Sequence, residues 1–240
     1  NSGLQNLTHT TAERKKIITN TPRQEINFKS LYYNLKSDTQ EGTSKVEGGV
    51  AAGGGSIIIY PDTKTGEIKA KTIEVYQITE GPAQNEFTID TGPGTTLQEK
   101  IDYVLNRLSK SSVAYAKKYR SWISDILHNP NETEDFSNLP LPRVKDTGIV
   151  SMPKGGILVQ VFIQQFPGML SFSNKKTEKR YFWNKQLFYS LDLDSQVALL
   201  LHEVIYRDYR EVNKDKISNV TMNSERVQFA TALILSKQVL

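Results

Sequence analysis

Asp194-Ser195-Gln196-Val197-Ala198-Leu199-Leu200-Leu201-His202-Glu203-Val204-Ile205-Tyr206-Arg207-Asp208-Tyr209-Arg210 decides how the rest of the chain is read. Val197, Ala198, Leu200, Leu201, Val204 and Ile205 recur at three- and four-residue intervals, the spacing of one helix face. The pattern predicts a helix that Asp194 caps and that reaches about Arg210. A helix this apolar buries most of its surface, so it is expected at the centre of the fold. A second helix is expected from Ser224 to about Gln238, with Val227, Ala230, Leu233 and Ile234 facing inward.

Upstream of the central helix the period changes to two. Ile157 to Gln164 (ILVQVFIQ) reads as one strand, with Ile157, Val159, Val161 and Ile163 on one face and Leu158, Gln160, Phe162 and Gln164 on the other. Lys179 to Leu187 reads as an extended aromatic segment. Ser56 to Tyr60 (SIIIY) and Ile68 to Ile78 form a hairpin about the turn Pro61-Asp62-Thr63-Lys64-Thr65-Gly66. Between these strands lie two helices. Thr95 or Thr96 can cap the first, with Glu99 completing a capping box, and Leu97, Ile101, Val104, Leu105 and Leu108 form its stripe. The second runs from about Ser112 to Leu127 on Tyr115, Tyr119, Trp122, Ile123 and Ile126. Gly48 to Gly55 carries neither a P-loop lysine nor GxGxxG spacing and reads as a flexible lead-in to the hairpin.

These elements predict an α+β fold in which one small antiparallel or mixed sheet packs against about four helices over a single core. Residues 1–50, polar and rich in Thr, Asn, Lys and Gln, read as a mobile arm, and residues 51–240 as the single domain. The 240 residues are 38% hydrophobic, carry a net charge of +4 and contain no cysteine. That composition excludes disulfides, thiol chemistry and thiolate metal sites. With a pI near 9.0 the chain is mildly basic, which is not the profile of a dedicated nucleic-acid binder. No apolar run nears the roughly 20 residues of a membrane span. The chain begins at Asn1, as expected after removal of a signal peptide or trimming.

One motif invites chemistry. A His-Glu pair following an apolar run is half of the helix used by zinc peptidases, in which a second histidine four residues on completes the ligand pair and the glutamate activates a metal-bound water. Here Tyr206 stands in that position, so the set is incomplete. His202 is the candidate metal ligand and Glu203 the candidate catalytic base, within a polar cluster of His202, Glu203, Tyr206, Arg207 and Ser224. His128 and Asp208 are further donors such a site could recruit. The competing reading makes His202 a core histidine and pairs Glu203 with Arg207 at i,i+4. Tyr181, Trp183 and Phe188 could line a lipid or glycan groove, provided that their rings are accessible; core packing explains Tyr181 and Trp183 as well or better.

An ordered set of segments resembles a family of uncharacterised exported proteins of Bdellovibrio-type predatory bacteria. They are Gly53 to Ile59 with the following D-x-K-x-G-x-I turn, Glu99 to Lys110 (EKIDYVLNRLSK), Lys154-Gly155-Gly156, Lys179-Arg180-Tyr181 with Asn184-Lys185, and His202 to Arg207 (HEVIYR) with Asn223-Ser224. The resemblance implies export to the periplasm or beyond, and points to no particular activity. Family members carry cysteines where this chain has Tyr60 and Gly156, which implies, if the two form a pair, that the first hairpin and the Ile157 strand are neighbours. They also carry an arginine where this chain has Gln228.

The function expected is therefore that of an exported protein that binds a protein or cell-envelope component without catalysis, and with no cofactor. The alternative is a divergent zincin-like metallohydrolase holding zinc on His202.

Overall fold

A computed structural model of the chain describes residues 55–59, 73–75, 87–137, 141, 157–165, 178–213 and 225–237. The expected arm (1–50), the 61–66 turn and Ser224 lie outside these residues. Six strands and five helices are found among them: β1 (Ser56–Ile59), β2 (Ile73–Val75), α1 (Leu97–Ser111), α2 (Val113–His128), β3 (Thr133–Asp135), β4 (Ile157–Gln160), β5 (Phe162–Gln164), β6 (Tyr181–Trp183), α3 (Lys185–Ser190), α4 (Leu193–Asn213) and α5 (Glu225–Leu235).

Side-chain caps set the helix boundaries. Thr96 accepts from the Glu99 amide while the Glu99 carboxylate accepts from the Thr96 amide, which is the expected capping box of α1. Ser112 ends α1 and caps α2 through the Tyr115 amide. For α4 the cap is displaced from the expected residue. Asp192, not Asp194, accepts from the Ser195 amide at 2.8 Å, and the helix runs on to Asn213. Asp194 instead receives the Lys100 ammonium at 2.7 Å and the Thr91 hydroxyl. The extended segment expected up to Leu187 stops at Trp183, because Asn184 caps the short α3 by accepting from the Leu187 amide. Helix α5 ends at Leu235, where residues 88–90 take over its partners: Asp90 donates to the Leu235 carbonyl and Lys237 donates to that of Thr88.

The α+β class holds, but the one expected sheet is two. An antiparallel sheet has the order β2-β1-β4, and a mixed one the order β3-β6-β5 with β3 and β6 parallel. The continuous strand expected over 157–164 breaks at Val161. There the Val161 and Phe162 amides both donate to the carbonyl of Gly55, two residues against one, and the chain passes from the first sheet to the second. The hairpin and the Ile157 strand are neighbours, with Ile59 opposite Ile157 in the β1–β4 register, one residue short of positions 60 and 156.

Helix α4 lies at the centre, in contact with α1, α2, α5, β2 and β5. Val197 to Leu201 and Val204 are buried with Ile101, Val104, Leu105, Ile123, Ile126, Val227 and Leu235 in the main core. The period of two in β5 and β6 splits their side chains. Phe162, Tyr181 and Trp183 join that core, while Ile163 and Phe182 form a small cluster with Leu141 on the other face. On α2 the expected stripe loses Tyr115, which is 45% exposed; Ala116 is buried instead.

Candidate functional site

Glu203 is 0% exposed and His202 1%. The surroundings of Glu203 explain how a carboxyl group tolerates that position. Its Oε1 accepts the Gly55 amide at 2.6 Å, and its Oε2 accepts Gln164 Nε2 at 3.2 Å. The same Gln164 nitrogen donates to the Glu203 carbonyl at 2.9 Å. Burial pushes the carboxyl up to about 8, against the opposing pull of the Gln164 and Gly55 hydrogen bonds. Near neutral pH the group is therefore mostly a neutral acid, not the ionised base that water activation requires.

Gly55 makes this contact from the start of β1. A Cβ there would lie 2.5 Å from Leu199 Cδ2 and 3.3 Å from Glu203 Oε1. The glycine run expected to be a flexible lead-in thus ends in a buried residue that lets backbone touch α4. Its carbonyl holds the β4–β5 break, so one glycine joins both sheets to the helix.

The other members of the expected cluster point elsewhere. His202 stacks on Tyr206, with ring centroids 6.3 Å apart and 13° between planes. Arg207 does not pair with Glu203 as expected. It donates through Nε to Glu211 Oε1 at 2.9 Å and lies over the Trp122 ring at 4.2 Å. The preference follows from burial: Glu211 is 37% exposed to solvent, whereas Glu203 is sealed and mostly neutral. Of the further donors, Asp208 is taken by Lys118 and the Tyr119 hydroxyl, and His128 is exposed at the end of α2. Among the described residues no group of three or more His, Asp or Glu side chains could hold a metal ion.

The groove reading of Tyr181, Trp183 and Phe188 fails and the core reading holds, since all three are 0% exposed. Trp183 stacks on Phe162 at 5.3 Å and packs against Phe188 at 5.4 Å. The rings are core because β6 lies between β3 and β5 and beneath α3.

Four residues that matter here were not singled out as functional from the sequence: Gly55, Gln164, Arg180 and Glu211. Gly55 carried one readable signal, a glycine directly before a β-branched run, which marks close backbone approach. Glu211 carried another, its i,i+4 spacing from Arg207 on α4. Gln164 and Arg180 are set by contacts distant in sequence. Comparison with protein-family models, with curated proteins and with solved structures finds no match.

Proposed function

We propose that this chain is an exported protein that binds a protein partner or a component of the cell envelope and catalyses no reaction. The observation carrying this reading is the closure of Glu203 between Gly55 and Gln164. The pair that most invites chemistry is used as a joint between α4 and the two sheets. A general base must reach a water or a substrate proton, and both oxygens of Glu203 are engaged inside the core. Export rests on the resemblance of the HEVIYR helix and its companion segments to exported proteins. The mild positive charge suits an anionic envelope surface. Among the described residues no helix is long and apolar enough to cross a membrane.

Elemental mass spectrometry of the native protein beside His202→Ala tests the reading. The expected result is no stoichiometric metal in either, with the variant losing stability only. Stoichiometric zinc in the native protein that disappears in the variant would overturn it in favour of a zincin-like hydrolase with Glu203 as base.

A further inference from the structure

Where α4 passes the start of β6, two guanidinium groups converge on one carboxylate oxygen. Arg207 Nε lies 2.9 Å and Arg180 Nη1 3.6 Å from Glu211 Oε1. The second acid nearby, Glu132, is 3.9 Å from Arg180 Nε, too far for a hydrogen bond. Both arginine side chains are 13% exposed, whereas Glu211 is 37% and Glu132 31% exposed. The cations form the floor and Glu211 lies on the solvent side, while Glu132 Oε2 is itself buried without a hydrogen bond.

This floor holds more donors than its acids satisfy. Arg180 Nε and Arg207 Nη1 are buried without a well-formed hydrogen bond, and the Tyr181 hydroxyl pairs weakly with Arg207. Gln165, 2% exposed, whose backbone amide donates to the Arg180 carbonyl, likewise leaves both side-chain amide atoms without a hydrogen bond. Buried donors without acceptors are uncommon in native proteins, and a cluster of them marks a place where an acceptor is missing. Burial and the neighbouring Arg207 both pull the Arg180 pKa down, so added negative charge here relieves a real cost.

We propose that the Arg180–Arg207 fork is a binding seat for a small oxyanion, a carboxylate or phosphate group, and that Glu211 occupies it as a built-in stand-in until the ligand displaces it. Guanidinium pairs suit this role because their planar donors bind oxyanions bidentately. Glu211, on the last turns of α4 and more than a third exposed, can swing outward without disturbing the core. The proposal goes beyond the function proposed above and does not depend on the metal content of the chain.

Isothermal titration of the full chain with inorganic phosphate and, separately, with succinate tests it, using chloride at matched ionic strength as the reference. Wild type is expected to bind at least one probe. Glu211→Gln removes the competing charge-assisted hydrogen bond and tightens binding about tenfold. Arg180→Gln and Arg207→Gln abolish binding while circular dichroism shows them folded. Should either arginine variant fail to fold, Glu211→Gln alone decides, because its site lies at the surface. No heat beyond chloride from either probe, in wild type and Glu211→Gln alike, overturns the proposal. So does binding that the folded arginine variants retain unchanged.

Discussion

The amide of Gly55 donates to Glu203 Oε1 at 2.6 Å across 148 positions of sequence, and only a residue without a side chain can make that approach. A methyl group at position 55 would sit 2.5 Å from Leu199 Cδ2, inside a core with little room to yield. Gly55→Ala is therefore expected to cost about 1–3 kcal/mol, the usual range for overpacking. Urea denaturation measures it. A variant as stable as wild type would mean that β1 does not lie against α4 as described.

The buried carboxyl gives the protein a pH signature with a definite sign. Glu203 is raised by burial from an ordinary 4.5 to about 8. Below 4.5 both folded and unfolded chains hold the proton, and the group adds no pH dependence. Between 4.5 and about 8 the unfolded chain has released it while the folded chain keeps it. The unfolded state then binds fewer protons, so stability falls as pH rises, by up to about 1.4 kcal/mol per unit, and levels off above the folded pKa. Glu203→Gln has no proton to lose and should remove this fall. Unfolding free energies of both proteins from pH 5 to pH 9 provide the comparison; parallel curves would show that Glu203 titrates normally.

Much of this arrangement was legible because local chemistry specifies it. The Thr96–Glu99 box and the core stripe of α4 are set by residues a few positions apart, and both were read correctly. The failures share one physical cause. ILVQVFIQ is apolar on both faces, so nothing local in it could reveal that the Gly55 carbonyl breaks it into strands of two sheets. Glu203 and Arg207 have helix-pair spacing, but a distant glycine and glutamine outcompete the local partner. For Tyr181 and Trp183, beside Lys179 and Arg180, both a groove and core packing were open from the sequence, and their burial bears out the core reading.

The start of α4 separates two neighbouring aspartates. Asp192 caps the helix by accepting from the Ser195 amide and hydroxyl at 2.8 and 3.0 Å. Asp192→Ala should cost about 0.5–2 kcal/mol, the value of a lost N-cap. Asp194 holds Lys100 with half of its side chain exposed, so Asp194→Ala should cost at most about 1 kcal/mol. Thermal unfolding of the two variants side by side ranks them. The reverse order would return the cap to Asp194.

Gln164 gives Glu203 its second hydrogen bond and also reaches the Glu203 carbonyl, so the two side chains should behave as one unit. Gln164→Leu keeps the volume roughly but leaves Glu203 Oε2 without a donor in the core. The expected cost is about 1–3 kcal/mol, that of an unsatisfied buried group. Because the Gln164 hydrogen bond lowers the Glu203 pKa, its loss should move that pKa further up and extend the fall in stability to higher pH. In Glu203→Gln the single amide oxygen can serve only one of the two donors, Gly55 or Gln164, so that variant should also lose about 1–3 kcal/mol. The double variant then tests the contact itself. Residues in direct contact depart from additivity by about 0.5–3 kcal/mol. A departure of that size would establish that the helix is fastened to β5 through this pair, whereas strictly additive losses would mean that Gln164 and Glu203 stabilise the core independently.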